Sequence, residues 1–171
     1  RRGECEDVKQ SLAAKFGYKS LAEVNTDANY REASRYLKAV APESAPKRLK
    51  YLYEAQCRFT DTLEAWRSGD IERVGRNFRA DGIGLRDDYQ ISGQELETMC
   101  DIARTVKGVY GERMLGGGDK GASGAVIAAD AFEALSMAVD HAYPIAHPAF
   151  SDKYAVHACQ ITDGIVTQEL S

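Results

Sequence analysis

Thirteen residues from Met114 to Val126, Met-Leu-Gly-Gly-Gly-Asp-Lys-Gly-Ala-Ser-Gly-Ala-Val, hold five glycines. That density inside an apolar stretch restricts the local fold more than any other feature of the chain. Glycine loses more conformational entropy on folding than any other residue, so a cluster of them fits a backbone that must take positive φ or approach another group closely. The segment reads as strand, glycine loop, strand. With no side chains to hold a ligand off, such a loop presents several backbone N–H groups to an anion such as a phosphate. A tight β-turn of small residues has the same composition, so the loop by itself leaves both readings open.

Upstream of the loop the hydrophobic period is helical. Cys5, Val8, Leu12 and Phe16 share one helix face, and Gly17 stands where that helix terminates. Ser20 with Glu23 forms a capping-box pattern, and Asp27 opens a helix through Tyr30, Ala33, Leu37 and Val40 that ends before Pro42. Pro46 suits a first helical turn, after which Leu49, Leu52, Ala55, Phe59, Leu63 and Trp66 make the stripe of a core-facing helix as far as Ser68-Gly69. Asp70 then caps a short helix with Ile71, Val74 and Phe78 inward, and residues 80–83 read as a loop. Ser92 and Glu95 form a second capping-box pattern, and Leu96, Met99, Cys100, Ala103 and Val106 face one way until Gly108.

From Tyr110 the period changes. Val109–Leu115 and Gly124–Ala129 read as strands on either side of the glycine loop, Asp130 caps a helix with Phe132, Leu135, Val139 and Ala142 inward, and Tyr154–Ile161 reads as a further strand. Pro144 and Pro148 mark a surface loop between that helix and strand. The expected class is α+β, a helical first half followed by a mostly antiparallel β-sheet with packed helices.

Composition narrows the class of partner. At 171 residues with 44% hydrophobic residues, the chain has the size of one domain with a proper core. The net charge of −4 supplies no basic field for nucleic acid, and no apolar run approaches the roughly 20 residues of a membrane span. Neither nucleic acid nor membrane is an expected partner. Cys5, Cys57, Cys100 and Cys159 lie far apart without a Cys-x-x-Cys pair and read as reduced thiols, with Cys57 and Cys100 expected to be buried. His141, His147, His157 and Cys159 follow no metal-site spacing, so no metal ligands are assigned. Arg86, Asp87 and Asp88 admit two readings, an acid pair with chemistry or ion pairs and caps that fix a loop, and their place before a capped helix favours the second. Tyr89 and Met114 read as core.

Several landmarks occur in a fixed order. Leu85-Arg86-Asp87-Asp88-Tyr89 is followed by Ser92, Glu95 and Leu96, then by Gly108-Val109-Tyr110-Gly111, then by Arg113-Met114 running into Gly116-Gly117-Gly118. Arg1-Arg2 before Glu4-Cys5-Glu6, and Thr162-Asp163-Gly164 near the end, extend the series over nearly the whole chain. Together they resemble the carboxyl-terminal half of galactokinases, members of the GHMP kinase superfamily. Two departures stand out. Galactokinases usually carry Gly-Gly-Gly-Phe-Gly-Gly-Cys where this chain has Gly116-Gly117-Gly118-Asp119-Lys120-Gly121-Ala122, and they carry Ser-His where this chain has Asp81-Gly82.

The resemblance implies a ferredoxin-like GHMP carboxyl-terminal domain spanning residues 1–171, without the amino-terminal domain that carries the family's Pro-x-x-x-Gly-Leu-Ser-Ser-Ser phosphate loop, its Gly-Glu-His-x-Asp-Tyr sugar segment and its catalytic aspartate. It implies a cytoplasmic kinase that uses ATP and Mg2+ to phosphorylate galactose or a related sugar at the 1-hydroxyl, with no catalytic residue in this chain and no activity for it alone. The cofactor-contacting residues would be Gly116, Gly117, Gly118, Lys120 and Gly121, with Gly121 permitting the bend. Either Lys120 faces the phosphates and Asp119 points away, or the loop no longer serves a triphosphate. A non-catalytic sugar sensor or binding protein of the same family is the alternative. The expected partners are the missing amino-terminal domain and a small sugar, and an uncovered apolar face is expected to drive the isolated chain to a homodimer.

Overall fold

The computed structural model describes residues 1–118 and 121–160, and the architecture follows the helical period closely at first. Helix α1 spans Arg2–Phe16 and ends at Gly17, whose φ of 77° is the left-handed conformation that terminates a helix without steric cost to glycine. A short 3-10 turn, Leu21–Glu23, carries the expected box: the Glu23 carboxylate accepts from the backbone N–H of Ser20 at 3.0 Å. Helix α2, Asp27–Val40, opens at Asp27 as expected and is capped by Thr26, whose side chain accepts from the Asn29 N–H at 3.2 Å. Helix α3 then runs through Ser44–Ser68 and stops at Gly69, φ 73°. Val8, Leu12, Ala33, Leu37 and Leu49 close a first core cluster among these three helices.

The second half of the α3 stripe departs from expectation. Phe59 is 60% exposed, Leu63 40% and Trp66 49%, so the apolar face that begins buried at Leu49 emerges into solvent after about two turns. Ile71, expected inward, is exposed beside them. Cys57 on the same stretch is exposed as well, whereas Cys100 is buried, with burial pushing its thiol up to about 12.

Helix α4 spans Ile71–Asp87 without interruption, so residues 80–83 are helical rather than a loop. Asp70 caps it as expected, accepting from the Arg73 N–H at 2.9 Å. Its internal glycines serve packing. A methyl group added at Gly82 would lie 2.7 Å from the Arg113 Cβ, and one added at Gly75 would lie 2.3 Å from the Tyr110 Cβ. Only bare helix backbone allows strand β1, Val109–Leu115, to lie that close, and this close approach explains glycines that read as a loop in sequence.

Helix α5, Gln94–Arg104, precedes β1, and the antiparallel partner β2 is Ala122–Ile127, starting two residues earlier than expected. The register pairs Val109 with Ile127 at one end and Leu115 with Ala122 at the other. The expected Ser92–Glu95 box is replaced by a hydrogen bond from Ser92 Oγ to the Glu97 carboxylate. Between β1, α4 and α5 lies Glu112, 2% exposed, whose carboxylate accepts from Arg79 Nε at 2.9 Å and Arg104 Nε at 2.8 Å. Both oxygens of this buried anion are therefore met by guanidinium donors.

Helix α6 spans Phe132–Ala146. No cap is supplied by Asp130, and Pro144 sits within the last turn instead of in a loop. Tyr143, buried beside it, packs edge-on to Tyr154 at 5.1 Å and holds that turn in place against the proline. The strand expected from Tyr154 is not formed over residues 154–160. That segment is tied to α6 by side chains, with Tyr154 Oη donating to Asp140 at 3.0 Å and Val156 packed on the α6 cluster. Ile161 and Thr162-Asp163-Gly164 lie outside the described residues. The fold is α+β as expected, and among the described residues its sheet is a single two-stranded hairpin.

Candidate functional site

The glycine loop joins the two strands at the Leu115–Ala122 end of the hairpin. Gly116 takes φ 80°, Gly118 103° and Gly121 142°, all in the region that a side chain disfavours. The loop is therefore a bend that needs glycine, as the composition suggested.

Its residues divide into two kinds. Gly116 and Gly117 are exposed, and among the described residues nothing lies within 4 Å of where a Cβ would stand on either, so no described group covers the main chain there. Gly118 is buried, and a methyl group on it would lie 1.8 Å from the Ile91 carbonyl oxygen. At Gly121 the Leu115 carbonyl oxygen, at 3.7 Å, is the one described atom within 4 Å of a Cβ position. Lys120, like Asp119, lies outside the described residues.

Ile91 belongs to the segment that follows the Leu-Arg-Asp-Asp-Tyr landmark, and that segment is held from below by a buried arginine. Arg48 of α3 is 1% exposed. Its Nε donates to Glu4 at 3.1 Å, its Nη2 donates to the side-chain oxygen of Gln90 at 3.1 Å, and its Nη1 donates to the Asp88 carbonyl. Gln90 has φ 55°, an unfavourable value for a residue with a side chain, and its carbonyl accepts from Arg1 Nη2 at 2.9 Å. Cys5 Sγ and Tyr89 Oη lie 3.5 Å apart. The two landmarks nearly ninety positions apart, Arg1–Glu6 and Leu85–Tyr89, thus form one scaffold, which positions Ile91 against the loop. Hydrogen bonding from Arg48, aided by Arg1, holds the Glu4 carboxyl below its ordinary range despite some desolvation.

Sequence reasoning assigned no role to Arg48 or Gln90. An arginine next to Leu49 at the start of an apolar stripe was the available signal.

The acidic landmark carries no arrangement for chemistry. Arg86 pairs with Asp87 at 2.7 Å and holds its carboxyl below the usual range, while Asp88 pairs with Lys50 at 2.7 Å. Each acid faces its own cation, as the ion-pair reading has it. Met114 is 1% exposed and Tyr89 packs on the same cluster, both in the core as expected. Among the described residues no group of three His, Cys, Asp or Glu is placed to hold a metal ion. A surface concavity of about 320 Å³ is lined by Asn25, Tyr53, Cys57 and Asp61 among others, another of about 200 Å³ by Trp66, Gly69, Ile71 and Val74, and neither includes a loop glycine. No described helix is long and apolar enough to cross a membrane.

No protein-family model matches the chain. Individual relatives do. The chain is 33% identical over 143 residues to a galactokinase of Limosilactobacillus fermentum, covering 84% of this chain and 36% of that protein. It is 31% identical over 146 residues to a galactokinase of Chloroflexus aurantiacus, covering 85% and 36%. Among solved structures, the crystal structure of Lactococcus lactis galactokinase complexed with galactose superposes with a TM-score of 0.76 at 26% identity, over 84% of this chain and 36% of that one. The chain thus spans about a third of the length of the relatives it matches.

Proposed function

We propose that the chain is the carboxyl-terminal part of a galactokinase-family protein, and that this protein is a GHMP-type sugar kinase that transfers the γ-phosphoryl group of ATP to the 1-hydroxyl of galactose or a related sugar, a reading supported by the galactokinases it resembles. The observation that carries this reading is the exposed main chain at Gly116 and Gly117, where the loop leaves β1 and where no described residue crowds the backbone, next to a buried Gly118 packed on the Ile91 carbonyl. Phosphoryl transfer is catalysed mostly by positioning and charge stabilisation, so a rigidly based loop of bare amides is what a phosphate-facing lid requires. Residues 1–171 make up a single domain of that kinase. It has no phosphate-cradling helix loop of its own, and the amino-terminal domain is its partner in forming the cleft.

The residues fit the two cofactor components unequally. The amides of Gly116 and Gly117 fit contact with a phosphate through backbone N–H groups. A magnesium site does not fit the described residues, which offer no three-ligand group. ATP and its metal are held chiefly by the partner domain, and the chain alone is inactive. The protein acts in the cytoplasm.

The alternative, a galactokinase-like sugar sensor, is favoured by Asp119 and Lys120 in place of the aromatic and glycine of the family motif. A carboxylate about 5 Å from a phosphate charge costs on the order of 3 kcal/mol at an effective dielectric near 20. Galactose-dependent ADP release by the complete product of the parent gene separates the two. Turnover is expected. Sugar binding without turnover across a broad sugar panel supports the sensor.

A further inference from the structure

The end of β1 from which the loop emerges is gripped by a side-chain cluster outside the scaffold of Arg48. Arg113, the residue before Met114, lies with its guanidinium against Asp81 of α4, and that carboxylate also accepts from Arg58 Nη2 of α3 at 3.1 Å. Arg113 Nε donates to the Met114 carbonyl at 3.0 Å, and the guanidinium carbon lies 5.5 Å from the Phe78 ring centroid. Exposure is low throughout, 13% for the Asp81 side chain, 15% for Arg58 and 25% for Arg113. The absence of a side chain at Gly82 permits this, because the Arg113 Cβ occupies the space a Cβ there would need.

We propose that Asp81 is a positioning residue for the glycine loop, acting by fixing the Arg113 guanidinium on the Met114 carbonyl and so setting the end of β1. Charge-assisted hydrogen bonds are short and directional, so Arg113 is held in one rotamer between Asp81 and its own strand. A carbonyl two residues before Gly116 then has a fixed partner. Without the carboxylate the guanidinium turns to water, and the Leu115–Ala122 end of the hairpin loses its anchor to α4. Arg58 shares the same carboxylate, and among the described residues its guanidinium donates to Asp81 and Glu54 and to no residue of β1, which separates a role at the end of β1 from general stability. The inference deepens the reading of the loop as a phosphate-facing lid, but its test is independent of kinase activity.

The test is amide hydrogen exchange on the 171-residue chain carrying Asp81→Asn, with Arg58→Met as the comparison. Exchange at Leu115 and Ala122 is expected to rise about tenfold in Asp81→Asn, with less than about a threefold change at the Val109–Ile127 end of the same hairpin and in α1. Arg58→Met is expected to leave the Leu115–Ala122 end within about threefold of the wild type. Equal acceleration at both ends of the hairpin overturns the proposal, and so does an Arg58→Met profile that matches Asp81→Asn at the loop. Unchanged exchange at Leu115 and Ala122 in Asp81→Asn overturns it equally. Absence of kinase activity in the complete protein bears on the lid alone and leaves these outcomes as they stand.

Discussion

Gly118 and Gly117 are neighbours in one loop, yet a single methyl group distinguishes their roles. At Gly118 it meets the Ile91 carbonyl and a φ of 103°, so Gly118→Ala is expected to destabilise the chain by about 3 kcal/mol through overpacking and backbone strain. At Gly117 the space is open and Gly117→Ala is expected to stay within about 0.5 kcal/mol of the wild type, with urea unfolding of both variants as the check. The Glu4–Arg48 pair gives a second prediction at this scale. The folded-state pKa of Glu4 is depressed, so the pair contributes stability above the unfolded value near 4.3 and loses it as pH falls through the lower folded value. Urea midpoints of wild type and Glu4→Gln are therefore expected to differ at about pH 6 and to draw together as the pH falls below the unfolded value near 4.3. A gap that persists in acid means that Glu4 acts through packing instead of charge.

Helix α4 shows how an element can be strong in the fold and weak in the sequence. Its glycines at 75, 82 and 84 lower helix propensity, yet each stands where β1 or α3 comes within contact. Alanine, the better helix former, is therefore expected to act oppositely at two helical glycines. Gly82→Ala loses stability against the Arg113 Cβ and the Glu112 carbonyl, whereas Gly3→Ala in α1, with open space around it, gains about 0.5 kcal/mol. Thermal melts of the two variants give the signs. The same elements show what could be read from residues alone. Caps and stops at Ser20, Gly17, Gly69 and Asp70 depend on neighbours in sequence, and these were legible, as was β1 to the residue. The continuity of α4 was not, because its glycines answer to a strand that begins more than twenty residues later. Pro144 was misread for a related reason, since Tyr143 and Tyr154 hold the last turn of α6 from outside it. At the site, the loop bend and its glycines were visible in composition. The grip of Arg48 and Arg113 on the flanking segments was not, because their partners are distant in sequence.

At the scale of the molecule, most buried apolar residues among the described ones gather in three clusters, around Leu12 and Leu37, around Leu135 and Val139, and around Leu85 and Met114. The apolar half of α3 belongs to none of them. Phe59, Leu63 and Trp66 continue the stripe of Leu49 into solvent, and contiguous apolar surface of this kind promotes association. The 171-residue chain is expected to sediment as a dimer, and Leu63→Gln with Phe59→Ser is expected to shift it to monomer. A clean monomer of the unaltered chain at high concentration counts against that face as the contact. We propose that the exposed amides of Gly116 and Gly117 meet the phosphates of a nucleotide in a cleft completed by another domain. The most direct measurement is the KM for ATP of the complete kinase carrying Gly117→Val, a change placed where the fold has open space. A KM for ATP raised by about tenfold or more is expected, with the thermal midpoint unchanged, and an unaltered KM and kcat would overturn the phosphate contact.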